Sequence, residues 1–142
     1  YLLILLMIFV VGFYAFGVYL IFMDKKYDLE ERLVRFAGEC IKFCNTLGNT
    51  FAENHLKGQL IRSSSGACLN YGEAQGAESK KDFIHKNGVV LKELKESRST
   101  LKILAYSQLG DALIRTDLLK ESEELSAIFG RIITSARKSL NQ

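Results

Sequence analysis

Three cysteine thiols are the first side chains whose type and spacing suit chemistry. Cys40 and Cys44 lie four residues apart, and Cys68 falls in the next predicted helix. Three thiolates and a fourth ligand can bind Zn²⁺, but there is no Cys-x-x-Cys pair, and neither histidine has a metal-ligand spacing to the cysteines. Cys40 and Cys68 lie on apolar helix faces, where a free thiol behaves as a small hydrophobic group. We therefore expect core packing and predict no metal or other cofactor.

Two histidines, His55 and His85, are candidates for a general base, because imidazole exchanges protons near neutral pH. No Ser or Cys nucleophile is paired with either of them in a recognised motif. A structural or surface role is the simpler interpretation, and the sequence predicts a protein that is not an enzyme.

Polar residues cluster at the junction between the second and third predicted helices. Paired carboxylates in such a cluster can carry out acid–base chemistry. Ser79 and Asp82, however, already fit a helix cap, so we expect a structural network that fixes the turn or an oligomer contact. The residues of this cluster are Asn70, Glu73, Gly76, Ser79, Asp82, Phe83 and His85.

Positive charge is concentrated in the third predicted helix. Residues 77–108 contain seven Lys or Arg and four Asp or Glu, whereas 24–76 and 109–142 are each balanced. A basic stripe on a helix can bind phosphates by releasing counterions, although many Lys-rich faces are simply solvated, and Glu93 and Glu96 dilute this one. The sequence shows no aromatic stacking platform for sequence-specific reading. The candidate nucleic-acid-binding residues are Lys81, Lys92, Lys95, Arg98 and Lys102.

Helices must position all of these residues. The 142 residues include no Pro, as expected of an almost wholly helical chain. Helix-start signals at Asp28, Thr50, Ser79 and Thr116 each precede a run whose apolar residues recur every three or four positions. The connections are short, so consecutive helices should be antiparallel. The sequence predicts an all-α fold, an up-down four-helix bundle within 24–142, with helices at about 28–47, 51–76, 80–108 and 117–140.

Residues 1–22 differ from the rest because they carry no charge. A helix of this length is about 33 Å long, which matches the hydrocarbon core of a membrane. Lys25 and Lys26 follow it, so the positive-inside rule places the bundle in the cytoplasm. We expect a single membrane-spanning helix over 1–23, either native or a fused or upstream extension. If the chain instead starts at Met23, we expect a cytoplasmic bundle.

Four stretches carry a family resemblance in the expected order. The strongest are NYGEAQGAESKKDFIHK at 70–86 and GVVLKELKESR at 88–98, and YDLEERL at 27–33 and QLIRSS at 59–64 also fit. They resemble the bacterial four-helix bundle family of 23S rRNA intervening-sequence proteins. The resemblance implies a small cytoplasmic homopentamer related to the accessory factor of diversity-generating retroelements, which is a basic pentamer that binds nucleic acid and a reverse transcriptase. The apolar N-terminal segment departs from this soluble family.

Two functions follow from these observations. The first is a non-enzymatic homopentameric adaptor that binds RNA or DNA through lysines of the third helix, with a reverse transcriptase or a ribosome-related partner implied by the resemblance alone. The second is a structural oligomerisation module that clusters N-terminal helices at the membrane. Ile61, Ile103 and Ile133 are expected to supply its extra apolar surface. A pore is disfavoured because residues 1–22 contain no polar side chain suited to line it.

Overall fold

The computed structural model describes residues 29–140. The membrane-spanning helix predicted over 1–23 lies outside the described residues. Among the helices within 29–140, none combines the length and the apolar character that a membrane crossing requires.

Four helices make up the described fold, which confirms the predicted all-α class. They are α1 (Leu29–Cys44), α2 (Phe51–Gln75), α3 (Lys80–Tyr106) and α4 (Ala112–Lys138). The helices pack in a ring in which α1 contacts α2 and α4, while α3 contacts α2 and α4. Because short turns join them, neighbouring helices run antiparallel, and α3 lies diagonally opposite α1.

The largest difference from the predicted boundaries is at the start of α4, five residues earlier than expected. Asp111 is the cap, and its carboxylate accepts hydrogen bonds from the backbone N–H groups of Leu113 (3.0 Å) and Ile114 (2.9 Å). The predicted cap, Thr116, lies inside the helix, where its hydroxyl donates to the Ala112 carbonyl (2.8 Å). The prediction was wrong because two adjacent sites have N-cap chemistry and Asp111 satisfies the free amides first.

The core contains the inward side of each apolar run. Ile133, expected on the surface, is 7% exposed, because it lies one turn after the buried Phe129 on the inward face of α4. Phe51, expected in the core, is 90% exposed at the first position of α2. The largest fully buried apolar side chains are Leu33, Phe36, Phe43, Leu60, Val90, Leu94, Leu101, Leu104, Leu125 and Phe129.

Small polar residues bring α2 and α3 close together. The hydroxyls of Ser63 and Ser97 lie 2.7 Å apart in the interior, and both residues are fully buried. Their side chains also donate to carbonyls of their own helices, so the buried polar atoms are satisfied. This close packing fixes the rotation of α3 and therefore the face that α3 turns outward.

A forked ion pair joins α1 to α4. The Arg32 guanidinium donates to Glu121 at 2.5 and 2.8 Å and to Glu124 at 2.6 Å. The hydrogen bond with Glu121 is the main cause that raises the pKa of Arg32. Two parallel N–H···O bonds to one carboxylate fix the relative rotation of the two helices as well as attracting them.

The predicted capping box at the start of α2 is confirmed. Thr50 Oγ accepts from the Glu53 amide (3.3 Å), and the Glu53 carboxylate accepts from the Thr50 amide (3.1 Å), the Thr50 hydroxyl (2.6 Å) and the Gly48 amide (2.8 Å). These donors, the hydroxyl first, hold the pKa of Glu53 below its usual range. The stability contributed by Glu53 is therefore present above the ordinary pKa of glutamate and is lost as the pH falls through the lowered value.

Replacing Thr50 by Ala should lower the free energy of unfolding by about 1–2 kcal/mol, because the Glu53 amide loses its acceptor. Urea denaturation followed by circular dichroism measures the change. Thr116→Ala is the matched control, since this exposed residue lies within α4, and we expect it to change stability by no more than about 0.5 kcal/mol. Equal stability changes in the two variants would contradict the capping role.

Candidate nucleic-acid interface

The side of α3 that faces away from the core carries a regular stripe without any carboxylate. Its members lie alternately four and three residues apart, the spacing that keeps side chains on one side of a helix. All of them are exposed except Gly88, which is half-buried. The stripe extends for about 38 Å along the helix. This outer stripe consists of Lys81, His85, Gly88, Lys92, Lys95, Ser99, Lys102 and Tyr106.

Most lysines of the outer stripe have no acidic partner. Within residues 29–140, Lys81, Lys95 and Lys102 form no ion pair. Lys92 lies 3.8 Å from Glu96, but its side chain is 73% exposed, and such a surface pair is weak. The four ammonium groups are therefore available to the phosphates of a ligand.

Arg98, the remaining predicted binding residue, lies beside the outer stripe rather than in it. Its side chain is half-buried, whereas Lys95 and Lys102, three residues before it and four after it, are exposed. Ser97 contacts α2, so the next position, Arg98, is turned toward the flank that faces α4. The structure thus groups the four predicted lysines on one surface and sets Arg98 at its edge.

The two glutamates expected to dilute the basic charge lie on the flank that faces α2. A Cβ atom added to Gly66 of α2 would come within 3.2 Å of the Glu93 carboxyl carbon, so Glu93 fills the space left by this glycine. Burial there raises the pKa of Glu93. Glu96 accepts a hydrogen bond from Gln59 of α2 at 3.4 Å. Both carboxylates therefore engage α2.

A shallow groove runs between the outer stripe and α2. From α2 it is lined by His55, Leu56 and Gln59, and from α3 by residues that include Lys92 and Ile103. Apolar side chains form part of its lining, and lysines of the outer stripe lie along one side. An anionic ligand on the stripe would thus have an apolar surface beside it.

The polar cluster predicted between α2 and α3 surrounds the turn between these helices. Ser79 is the N-cap of α3 and accepts from the Asp82 amide at 3.1 Å. Asp82 in turn accepts from the Glu78 amide at 3.2 Å and lies 3.3 Å from the Lys86 ammonium. Gly76 ends α2, and its amide donates to a carbonyl in the last turn.

The other members of the cluster do not meet in one site. Asn70 donates to the Gly66 carbonyl of its own helix at 2.8 Å, and Phe83 is half-buried. Glu73 is exposed and forms no ion pair within residues 29–140, and His85 belongs to the outer stripe. These groups are placed to end one helix and start the next, and no acid–base pair is formed among the residues described.

The cysteines lie in or beside the core. Cys40 is fully buried and Cys44 is 4% exposed, which agrees with the expectation of packing. Burial raises the pKa of Cys40 to about 12 and also raises the pKa values of Cys44 and Cys68. The thiols are therefore protonated at neutral pH and are poor metal ligands and nucleophiles. Over residues 29–140, no three His, Cys, Asp or Glu side chains are grouped to hold a metal ion.

Sequence reasoning missed two features of the charged surface. Tyr106 continues the outer stripe four residues after Lys102, and extending the alternation of three and four residues by one step would have found it. In the second half of α4, Arg131, Arg137 and Lys138 are exposed, and residues 125–140 include no acid. The balanced count over 109–142 concealed this separation of charge along α4.

Comparison with known proteins agrees with the bundle and with the resemblance of the sequence. A solved structure, a protein of unknown function from the S23 ribosomal protein family of Bacteroides thetaiotaomicron, is similar with a TM-score of 0.68 and 26% identity, over 73% of this chain and 96% of that one. A comparison with curated proteins gives no match. The model of the 23S rRNA-intervening sequence protein family matches residues 25–131. Because this match covers most of the sequence, the chain belongs to the 23S rRNA-intervening sequence protein family.

Proposed function

We propose that this chain is a non-enzymatic, self-associating adaptor that binds the phosphate backbone of RNA or DNA through the outer stripe of α3. The observation that carries the proposal is the row of four exposed lysines, three without an ion pair within residues 29–140, on a face whose nearest acids are turned toward α2. Rows of this kind bind nucleic acid through counterion release and do not require base contacts.

Family membership supports RNA as the first ligand to test, since the family is named for a sequence that interrupts 23S rRNA. A ribosome-related partner or a reverse transcriptase belongs to the same proposal. Homopentamer formation, which the sequence resemblance implies, would repeat the outer stripe five times and raise the local positive charge.

A salt titration of the full chain tests this function. Fluorescence anisotropy with a labelled structured RNA, at about 50 mM and 200 mM salt, gives the dissociation constant at each concentration. Four to five phosphate contacts per protomer predict that the affinity falls steeply, by more than about tenfold, over this range. An affinity below detection at both salt concentrations, from a well-folded chain, would refute the proposal.

A structural oligomerisation module is the second candidate, and an apolar patch on the opposite side of the bundle favours it. The Cys44 sulfur lies 4.0 Å from the Lys57 carbonyl, which sets the register between α1 and α2. This register brings Ile41 level with Ile61 and Val34 level with Leu69. The patch, termed the α1–α2 patch, consists of Val34, Ile41, Ile61 and Leu69, which are 37–69% exposed. In this candidate the patch joins protomers, and residues 1–22 anchor the assembly in a membrane with the bundles in the cytoplasm.

The double variant Ile41→Glu and Ile61→Glu should dissociate the assembly into monomers, because it places charge in the apolar patch. Light scattering of the full chain measures the mass. Ile103→Glu is the control, since Ile103 is 51% exposed on α3, outside the patch. An unchanged assembly mass in the double variant would exclude the α1–α2 patch as the contact between protomers.

A further inference from the structure

We propose that Tyr106, together with Phe51 at the same end of the bundle, stacks on unpaired bases, so that the preferred ligand is a nucleic acid with a single-stranded segment. This inference rests on the proposed function and names the ligand class of the same surface. The two rings and the lysines of the outer stripe supply the components of a single-strand site, which are a basic track for the backbone and aromatic surfaces for the bases.

Tyr106 combines exposure with a fixed position. It is the last residue of α3, its side chain is 93% exposed, and it follows Lys102 by one helical turn. An aromatic ring loses favourable free energy when it remains in water, so a ring held open at the end of a basic stripe is suited to a ligand. A helical backbone also places the ring with little loss of freedom when a base stacks on it.

Phe51 supplies a second open ring near the same place. It is the first residue of α2 and is 90% exposed. Because α2 and α3 are antiparallel, the start of α2 and the end of α3 lie at the same end of the bundle. His55 and Ile103, one turn inward from the two rings, line the same groove, so the rings lie beyond the end of that groove.

The chemistry of the two surfaces separates paired from unpaired nucleic acid. Phosphates are present in both, so the lysines attract both forms. In a duplex the bases stack on each other and their faces are covered, whereas unpaired bases can stack on a protein ring. Stacking tolerates any base, and the site is therefore predicted to select single strands without strong sequence preference.

Two RNA probes with equal numbers of phosphates test the inference on the full chain. One is a fully paired hairpin, and the other is a shorter hairpin with an unpaired tail that carries 2-aminopurine. We expect tighter binding of the tailed probe and quenching of its fluorescence. Tyr106→Ala should weaken binding of the tailed probe by about fivefold to a hundredfold and leave the paired probe unchanged, while Tyr106→Phe retains the preference.

Leu113→Ala is the matched control, because Leu113 is an aliphatic side chain, 80% exposed, at the same end of the bundle. It should change the binding of neither probe. The stacking site is overturned if Tyr106→Ala affects both probes equally or neither of them, or if the unaltered chain binds the two probes with equal affinity. In these cases salt-dependent binding of both probes would leave the lysine-based function standing, whereas binding of neither probe would refute the function as well.

Discussion

Replacing Lys92, Lys95 and Lys102 together by Glu should reduce the affinity for RNA by roughly a hundredfold or more at near-physiological salt. Each replacement removes one phosphate contact and adds a repelling carboxylate on the same face. The slope of the logarithm of affinity against the logarithm of salt concentration should also become shallower by about three contacts. Since all three side chains are exposed, the fold should be unaffected, and circular dichroism checks that it is.

The control for this variant changes charge by the same amount on another helix. Lys120, Arg131 and Lys138 are exposed and lie along one side of α4, and none of them forms an ion pair within residues 29–140. Their replacement by Glu should weaken binding only slightly, through the loss of general attraction. Equal losses in the two triple variants would mean that net charge, rather than the outer stripe, governs binding.

Replacing Gly110 by Ala should lower the free energy of unfolding by about 2–4 kcal/mol. Gly110 precedes the cap of α4 and has a φ of 72°, which L-residues with a side chain rarely adopt. An added Cβ would also lie 2.6 Å from the Phe43 ring and 3.0 Å from a methyl of Leu47, and both side chains are buried. Urea denaturation measures the loss.

Gly58→Ala is the opposite control within the same chain. Gly58 lies inside α2, and no atom lies within 4 Å of an added Cβ. Alanine is the better helix former, so we expect this variant to be more stable by about 0.5–1 kcal/mol. A Gly110→Ala variant as stable as the unaltered chain would show that the turn before α4 is looser than its packing against Phe43 indicates.

The helices could be predicted because their signals are local. Apolar spacing located all four, and the Thr50–Glu53 capping box placed the start of α2 at Phe51. The start of α4 was missed because the choice between two caps depends on the turn before it, where the Thr46 hydroxyl accepts from the Asp111 amide at 3.0 Å. That contact joins two distant turns, and no sequence pattern reports it.

The candidate site was predicted in part for the same reason. The spacing of Lys92, Lys95 and Lys102 sufficed to place them on one face. The position of Glu93 depends on the space left by Gly66 on another helix, so the separation of acids from bases became visible only with the packing of α2 against α3. Ile133 shows the same limit, since the rotation of α4 in the bundle decides whether it faces inward.

Mapping the residues that touch RNA tests the central claim most directly. The full chain would be bound to a structured RNA, cross-linked by ultraviolet light, digested, and examined by mass spectrometry. The proposed interface predicts cross-links in the α3 peptides that contain Lys92, Lys95 and Lys102, and loss of these cross-links at high salt. Cross-links confined to α4, at Arg131 or Lys138, or to the α1–α2 patch, would contradict it.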